Sequence, residues 1–347
     1  MQAAVYYGPG QIRVEEHAEP TAQDDNLIVR VLGCCICGTD LKLATIGNPR
    51  CHPPRIIGHE MVGQVVHAGA ATYGFAPGDR ITLATTVACG KCAYCARGLG
   101  NVCPNSSPIS YDFDGAFAVY TAVPPAALAG GNVLKVSEEV PDDAACLCEP
   151  LSCAINAQQL AGLKPGDRVL ILGGGPLGAL HAEIARACGA ADVMVVQRSE
   201  PRLSLLRALS GVRVIDGAHE DLAAVVRERT DGLGADVVIV CAPSAEAHQQ
   251  APGLACKGGA VSLFASLPKG ASDVIFDSRV LHYNELRVVG ASDSRPEHVA
   301  RALELLAAGL IDWQRLITHR LPLSQLAQGI ALMQNKQSLK VLMDPSS

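Results

Sequence analysis

The chain has 347 residues, of which 49% are hydrophobic and 18% charged, a composition that excludes a disordered protein and leaves room for two domains. Its formal net charge of −6 and its scattered Lys and Arg residues give no basic stripe, which argues against nucleic acid as a partner. No apolar run approaches the roughly 20 residues needed to span a bilayer, so no membrane partner is expected.

Short apolar runs alternate with Gly and Pro residues from the start of the chain to about residue 129. Residues 26–32, 63–66 and 80–83 are such runs, and no long helical pattern competes with them. This pattern of short apolar runs predicts a mainly antiparallel β region.

From about Pro150 the pattern changes to strands that alternate with helical segments. The predicted strands lie at residues 168–172, 192–196, 212–215, 236–240, 259–264 and 286–290. Six strands in this rhythm predict a Rossmann-type doubly wound parallel sheet, so the fold class is α/β. An amphipathic helix over residues 296–308 and a strand-like run at 340–343 follow, and we expect this tail to return to the first domain.

Four cysteines lie close together in the first domain, namely Cys89, Cys92, Cys95 and Cys103. Four thiolates at this spacing match the tetrahedral coordination of a closed structural zinc site. Glycines between them supply the backbone freedom that a chain folding around a metal needs. Two other interpretations stay open: a disulfide pair, which the cytosol disfavours, and an iron–sulfur cluster, which four cysteines can also hold.

The run Gly173-Gly174-Gly175-Pro176-Leu177-Gly178 places a G-x-G-x-x-G pattern after a predicted strand and before a predicted helix. Gly173 permits the tight turn, Gly175 lets the backbone approach a pyrophosphate, and Gly178 lets helix and strand pack closely. The N-terminus of the helix attracts the phosphate charge. The run therefore predicts a dinucleotide site, and a glycine-rich turn without a ligand is the alternative.

The carboxylate that normally accepts the ribose hydroxyls of NAD is absent from the end of the second predicted strand. Gln197 and Arg198 stand there instead, and Arg202 follows shortly afterwards. Arg198, together with Arg202, can pair with a 2′-phosphate, so the sequence favours NADP(H) over NAD(H). The alternative is that Gln197 hydrogen-bonds the ribose of NAD(H) and that Arg198 is a solvated surface residue.

Two short motifs, Cys37-Gly38-Thr39-Asp40 and Gly58-His59-Glu60, contain residue types that bind zinc. Taken singly, each residue has an ordinary structural interpretation, because buried thiols and hydrogen-bonded histidines are common. The order of these two motifs, the four-cysteine run and the glycine run nevertheless resembles the medium-chain zinc alcohol dehydrogenases over nearly the whole chain. Glu60 directly after His59, and Glu149-Pro150-Leu151 before the cofactor domain, are most similar to the polyol (sorbitol-type) and L-threonine dehydrogenase branch.

The resemblance implies a GroES-like, mainly antiparallel catalytic domain and two zinc ions per chain, one catalytic and one structural. It implies that Cys37 and His59 bind the catalytic zinc and that Glu60 is the third ligand. Glu149 is expected to ligate the metal or to hold its bound water.

Two further residues near the implied catalytic zinc affect the predicted proton transfer. Thr39 is the expected relay, since its hydroxyl can pass the substrate proton towards the cofactor ribose or a water. Members of this branch often carry a His five residues after the ligand cysteine, but this chain has Lys42. Lys42 could replace that His if its pKa were lowered, hold an anionic substrate group such as a phosphate, or point into water.

The predicted function is hydride transfer between NAD(P) and a secondary alcohol, with a polyol, cyclitol or sugar derivative as the favoured substrate. L-threonine and sugar-phosphate dehydrogenases are alternatives with the same chemistry, and a non-catalytic nicotinamide-binding protein is the alternative of a different class.

The predicted organisation has three parts. Residues 1–152 form the catalytic domain with a zinc lobe at about 86–106, residues 153–290 form the dinucleotide-binding domain, and residues 291–347 return to the catalytic domain. A cytoplasmic homodimer or homotetramer is expected, from the resemblance and from 14 cysteines in a chain without a visible export signal.

Overall fold

A computed structural model describes residues 1–346 of the chain. In chain order, the strands β1 to β18 of these residues span Gln2–Gly8, Gln11–Glu16, Leu27–Cys35, Arg55–Ile56, Glu60–Ala68, Arg80–Leu83, Thr86–Val87, Ser107–Pro108, Tyr120–Val123, Val133–Lys135, Arg168–Leu172, Asp192–Gln197, Arg213–Asp216, Ala235–Val240, Ala255–Leu263, Arg287–Gly290, Ile317–Pro322 and Lys340–Asp344. The helices α1 to α13 span Gly38–Thr45, Ala93–Ala96, Pro125–Ala129, Asp142–Ala145, Cys148–Ala161, Pro176–Ala187, Glu200–Leu206, Leu222–Arg229, Ala245–Gln250, Ser278–Tyr283, Pro296–Ala307, Trp313–Leu316 and Leu326–Gln334.

Six strands form a parallel sheet in the order β13, β12, β11, β14, β15, β16. Strand β11 is a continuous apolar run because both of its faces are buried: Val169 and Ile171 join one hydrophobic cluster, and Leu170 and Leu172 join another. The α/β fold class and the doubly wound sheet are therefore confirmed. The direction of strand order reverses beside β11, and ligands of such sheets bind outside the carboxyl ends of the strands at this point.

The second large sheet is mainly antiparallel. Its strand order is β10, β6, β5, β3, β18, β17, and β9 also pairs with β3. Strand β18 comes from the end of the chain, runs antiparallel to β3 and runs parallel to β17. A hydrophobic core that includes Val31, Met61, Ile81 and Val341 holds this sheet together. The C-terminal strand thus lies beside the strand that leads to Cys37.

The two sheets are linked by long helices. Helix α11 packs on α5 and contributes Val299 and Ala302 to the hydrophobic core that also contains Val169 of the parallel sheet. Strand β17 then returns the chain to the antiparallel sheet at Ile317. The domain limits at residues 152 and 290 remain predictions. Among the described residues, no helix has both the length and the apolar character needed to cross a membrane.

Candidate active site and metal centres

The start of α1 holds Cys37 at the end of the central strand β3. Cys37 is the N-cap residue, and its backbone N–H donates to Asp40 Oδ2 at 2.8 Å. This reciprocal cap fixes the first helical turn, and the Asp40 carboxylate that forms it is fully buried. The same turn leaves the Thr39 side chain half-buried two residues after the thiol.

His59 and Glu60 reach the same place from the neighbouring strand β5, whose first residue, Glu60, pairs with Cys35 in the register. One ligand atom from each of Cys37, His59 and Glu60 lies within 4.8 Å of the others. Glu60 Oε1 is buried and has no hydrogen-bond partner among the described residues. A soft sulfur, an imidazole nitrogen and a bare carboxylate oxygen that converge in this way fit zinc, which takes four ligands in a tetrahedral site.

Carboxylates dominate the electrostatics of this group. Burial opposes a positive charge on His59, but the charges of Asp40, Glu149 and Glu60 outweigh it, so the pKa of His59 is raised. Burial also raises the pKa of Glu149, which the charge of His59 partly offsets. An excess of buried negative charge of this kind is stabilised by a metal cation.

Glu149 lies beside the three converging residues rather than among them. It sits in the first turn of α5, and its Oε1 accepts a hydrogen bond from Thr85 Oγ1 at 3.3 Å. The thiol of Cys153, one helical turn further on, lies 3.7 Å from the same oxygen. The charge of Glu149 acts on both Cys37 and His59, so its carboxylate lies near the site.

Lys340 belongs to this site but was not predicted. Its Nζ contacts the Glu60 carboxylate and donates to Ile36 O at 3.2 Å. The side chain is buried, because β18 lies directly beside β3. The sequence signal for this residue was a lysine at the start of the strand-like run at residues 340–343.

Lys42 is exposed on α1. Its Nζ donates to Ser266 Oγ at 3.4 Å, and Ser266 lies just after β15 of the parallel sheet. The structure therefore brings Lys42, which lies on the same helix as Thr39, into contact with the segment that follows β15 of the parallel sheet.

The four cysteines of residues 89–103 form a separate cluster. Their sulfur atoms are 3.5 Å apart for Cys89 and Cys103, 3.5 Å for Cys92 and Cys95, 3.7 Å for Cys92 and Cys103, and 3.9 Å for Cys89 and Cys95. A tetrahedral zinc site with Zn–S bonds of about 2.3 Å has sulfur–sulfur distances of about 3.8 Å. The four positions fit that geometry, and all four cysteines are free thiols rather than a disulfide pair.

The glycine run forms the turn between β11 and α6. Gly173 has a φ of +109°, and the N–H groups of Gly173 and Gly174 donate to Val196 O. A Cβ atom on Gly178 would lie 2.0 Å from Gly173 O, so only glycine allows this close packing. Gly175 caps α6 and Pro176 occupies its first turn, which leaves a helix N-terminus open to a phosphate, as a dinucleotide requires.

The three residues predicted to bind the cofactor ribose or its 2′-phosphate lie at different places relative to the glycine turn. The Arg202 guanidinium lies beside the glycine turn, with Nη1 3.4 Å from the position that a Cβ on Gly175 would occupy. Gln197 ends β12, and its side chain bonds the backbone that follows it. Arg198 points away from the turn and bonds Glu246 on α9.

The geometry described so far is that of a dehydrogenase that uses zinc and a nicotinamide cofactor. Residues 23–134 match the alcohol dehydrogenase GroES-like domain, and residues 176–308 match the zinc-binding dehydrogenase domain. The sorbitol dehydrogenase of Halalkalibacterium halodurans is 30% identical over 98% of this chain and 97% of its own length. The L-threonine 3-dehydrogenase of Pyrococcus furiosus is 33% identical over 92% of this chain and 90% of its own length.

A solved structure is similar over its whole length as well. The zinc-binding dehydrogenase from Sinorhizobium meliloti, crystallised with NADP bound, matches with a TM-score of 0.90 and 33% identity over 99% of each chain. This chain belongs to the zinc-dependent medium-chain alcohol dehydrogenase family, whose members act on CH–OH groups with NAD(P). The predicted family, enzyme class and use of zinc and a nicotinamide cofactor are thereby confirmed.

Proposed function

We propose that the protein oxidises a secondary alcohol of a polyol, cyclitol or sugar derivative, prefers NADP(H), and holds two zinc ions per chain. The convergence of Cys37, His59 and Glu60 within 4.8 Å, with Thr39 two residues after Cys37, is the observation that supports this most directly. The sorbitol dehydrogenase relative supports the polyol class. The NADP-bound structural relative, together with the missing carboxylate at Gln197, supports the cofactor.

The proposed roles follow from the positions of the side chains. Cys37, His59 and Glu60 hold the catalytic zinc, and Glu149 ligates it or binds a water beside it. When bound, the zinc lowers the pKa of the substrate hydroxyl, and the nicotinamide accepts the hydride. The Thr39 hydroxyl takes the proton from the substrate hydroxyl and passes it to a water or to the cofactor ribose. The four-cysteine cluster holds the second zinc and takes no part in this chemistry.

Lys42 binds the substrate in this proposal and does not relay the proton. A lysine ammonium carries three donors and no acceptor, and Lys42 is exposed and donates to Ser266. It is therefore placed to hold a hydroxyl or an anionic group at the outer end of the substrate. Activity restricted to phosphorylated substrates, and lost in K42M, would assign Lys42 to a phosphate.

The test is a panel of polyols, cyclitols, sugar phosphates and L-threonine, each assayed with NAD and with NADP. Oxidation of a polyol or cyclitol with NADP, with higher kcat/KM than with NAD, is the expected result. A clear preference for NAD would overturn the cofactor proposal. An absence of activity on every alcohol, in a protein that binds dinucleotide, would favour the non-catalytic alternative.

The role of Thr39 is tested separately by T39V, which keeps the shape of the side chain and removes its hydroxyl. We expect kcat to fall by about 100-fold, the usual contribution of a positioned proton-transfer group. T39S should recover most of the activity. The matched control is T45V on the same helix, because the exposed Thr45 hydroxyl bonds only backbone oxygens of its own helix. Equal activities of T39V and T45V would contradict the relay role.

L-threonine is a second candidate substrate. Arg50 and Asp293 interact electrostatically with each other, and Asp293 also interacts with His59 and Glu149. A cation and an anion in this arrangement match the carboxylate and the ammonium of an amino acid. The L-threonine dehydrogenase relative favours the same substrate class. Loss of L-threonine oxidation in D293N, with polyol oxidation absent in the parent, would select this candidate.

We also propose that the protein is a cytoplasmic homo-oligomer. In the part of the chain described, β16 pairs only with β15, and the edge of this strand is largely exposed. Unpaired strand edges are commonly covered by a second copy of the same chain. The 14 free cysteines suit a reducing compartment. Light scattering after gel filtration should give the mass of a dimer or tetramer, and a monomer would contradict the oligomer.

A further inference from the structure

The end of β12 presents hydrogen-bond donors rather than acceptors. Gln197 Oε1 accepts from the backbone N–H of Arg198 at 2.7 Å and of Ser199 at 3.2 Å. Because both partners are N–H donors, the side-chain atom facing them must be the amide oxygen. The free end of the Gln197 amide is therefore its NH₂ group. This is the opposite of the carboxylate that would accept a ribose 2′-hydroxyl.

Two more polar groups near this strand end are buried and have no partner among the described residues. They are Ser199 Oγ and Arg202 Nε. Buried donors without partners are costly, and they are found where a ligand completes the site. Together with the Gln197 amide, they give the segment after β12 several hydrogen-bond donors that an anion could use.

Arg198 is the exposed cation that directly follows β12, but its guanidinium is already paired with a carboxylate of the protein. Its Nη1 and Nη2 donate to Glu246 Oε2 at 3.3 Å and to Glu246 Oε1 at 3.2 Å. Hydrogen bonding from Arg198 lowers the pKa of Glu246, so the carboxylate is charged at neutral pH. Both side chains are more than 60% exposed, so this is a weak and readily exchanged ion pair.

We propose that Glu246 is a specificity-determining residue that competes with the cofactor 2′-phosphate for Arg198 and thereby limits the preference for NADP(H). This inference rests on the proposed nicotinamide site at the end of β12. A 2′-phosphate must share or displace the Glu246 carboxylate, and the two negative charges repel each other. NAD(H) has a neutral 2′-hydroxyl and gains nothing from Arg198, so Glu246 affects only the phosphorylated cofactor.

The size of the effect follows from the exposure of the pair. Competition from an exposed carboxylate, and its repulsion of a phosphate a few ångströms away in a solvated site, correspond to about a 3- to 10-fold change in affinity. The repulsion weakens as salt increases, because both charges are exposed. A much larger effect would require a buried pair.

The experiment measures binding to the zinc-loaded enzyme by calorimetry. The probes are adenosine 2′,5′-bisphosphate, which carries the distinguishing phosphate, and adenosine 5′-monophosphate, which lacks it. E246Q should bind the bisphosphate about 3- to 10-fold more tightly than the parent and the monophosphate equally well. The ratio of NADPH to NADH affinities should rise by the same factor. E304Q is the matched control, since Glu304 forms a similarly exposed pair with Arg301 on a different helix, α11.

A second variant shows whether Glu246 acts through Arg198. In R198A the bisphosphate should bind more weakly, and adding E246Q should then change its affinity by less than about twofold. Weaker bisphosphate binding in E246Q would overturn the proposal, because it would mean that Glu246 positions Arg198 for the phosphate. An equal change for both probes would also overturn it, since the 2′-phosphate would not be involved.

Failure of the proposed cofactor preference gives a different result. If the parent binds the monophosphate better than the bisphosphate, NADP(H) is not preferred, yet a selective gain for the bisphosphate in E246Q still supports the competition. If neither probe binds any variant, the nicotinamide site itself is wrong, and the competition is wrong with it.

Discussion

Lys340 and Glu60 form an ion pair in the interior, with 2% and 0% of their side chains exposed. Burial would lower the pKa of Lys340, but the charge of Glu60 outweighs it and raises that pKa, so the lysine is an ammonium. Its remaining hydrogen-bonding capacity is partly used by Ile36 O. The pair joins the last strand of the chain to a proposed zinc ligand, so Lys340 limits where the Glu60 carboxylate can move.

The first prediction concerns K340M, which keeps much of the side-chain volume and removes the charge. Glu60 would be left buried without its cation, and losing one partner of a buried pair costs about 3 kcal/mol. The thermal midpoint should fall by about 5 °C in a protein of this size. Thermal unfolding followed by circular dichroism measures this fall, and metal analysis shows whether the catalytic zinc is retained.

The control for this variant is K135M. Lys135 pairs with Asp79 at 2.7 Å, but 53% of the lysine side chain is exposed. Exposed pairs contribute about 0–1 kcal/mol, so K135M should shift the midpoint by at most a degree or two. Equal shifts in K340M and K135M would mean that the buried pair carries no special stability.

The second prediction concerns the four-cysteine cluster. C95S removes one of four sulfur ligands, so the zinc content should fall from two ions to one per chain, with a lower thermal midpoint. C188S removes a partly buried thiol outside the cluster and should keep both ions. Metal analysis decides the result. Iron and sulfide in the parent protein, with a visible absorption band, would instead establish the iron–sulfur alternative.

The sequence was sufficient to predict those features of the fold and site that depend on a local pattern of residues. The apolar runs of the parallel sheet, the turn from Gly173 to Gly178 and the four-cysteine cluster each come from one short segment. Their physical requirements, namely buried strands, a turn without Cβ atoms and soft ligands close together, are visible in consecutive residues. The structure places each of these close to its predicted position.

The sequence was not sufficient to predict contacts between residues that are far apart in the chain. Lys340 and Ile36 are 304 positions apart and meet only because β18 lies beside β3. Glu246 and Arg198 are 48 positions apart. Arg198 follows β12 and Glu246 lies on α9 after β14, so they meet only once the parallel sheet has formed. A charged residue is usually solvated, so neither Lys340 nor Glu246 could be assigned a partner before the strand order was known.

The third prediction concerns G178A. The new Cβ would lie 2.0 Å from Gly173 O, so α6 must move away from the turn that receives the pyrophosphate. Affinity for NADPH should fall by at least about tenfold, which corresponds to about 1.4 kcal/mol and lies within the usual cost of overpacking. Fluorescence titration measures the affinity. G253A is the matched control because a Cβ there meets nothing within 4 Å. Unchanged affinity in G178A would contradict the proposed pyrophosphate position.

The last prediction concerns pH and His181, which packs edge-on against Phe264 and accepts a hydrogen bond from Gln158. Burial lowers the pKa of His181 to about 3, from an ordinary value of 6.5. The unfolded chain therefore binds a proton between these values and the folded chain does not, so stability falls as the pH falls below about 6.5. The loss is about 1.4 kcal/mol per pH unit, or about 2 kcal/mol by about pH 5. H181Q removes this proton, so its thermal midpoint should depend less steeply on pH than that of the parent.

The control is H219Q, because His219 contributes to stability with the opposite dependence on pH. Hydrogen bonding to Asp216 raises the pKa of the exposed His219, so its stabilising contribution is present below the unfolded pKa and is lost as the pH rises. H219Q should therefore leave the acid-side loss of stability as steep as in the parent, or slightly steeper. Both variants retain the zinc ligands, so the acid release of metal affects all three proteins alike and cancels in the comparison. Parallel midpoint curves for H181Q and the parent between about pH 7 and about pH 5 would mean that His181 is already protonated in the folded protein, with a pKa that burial has not lowered.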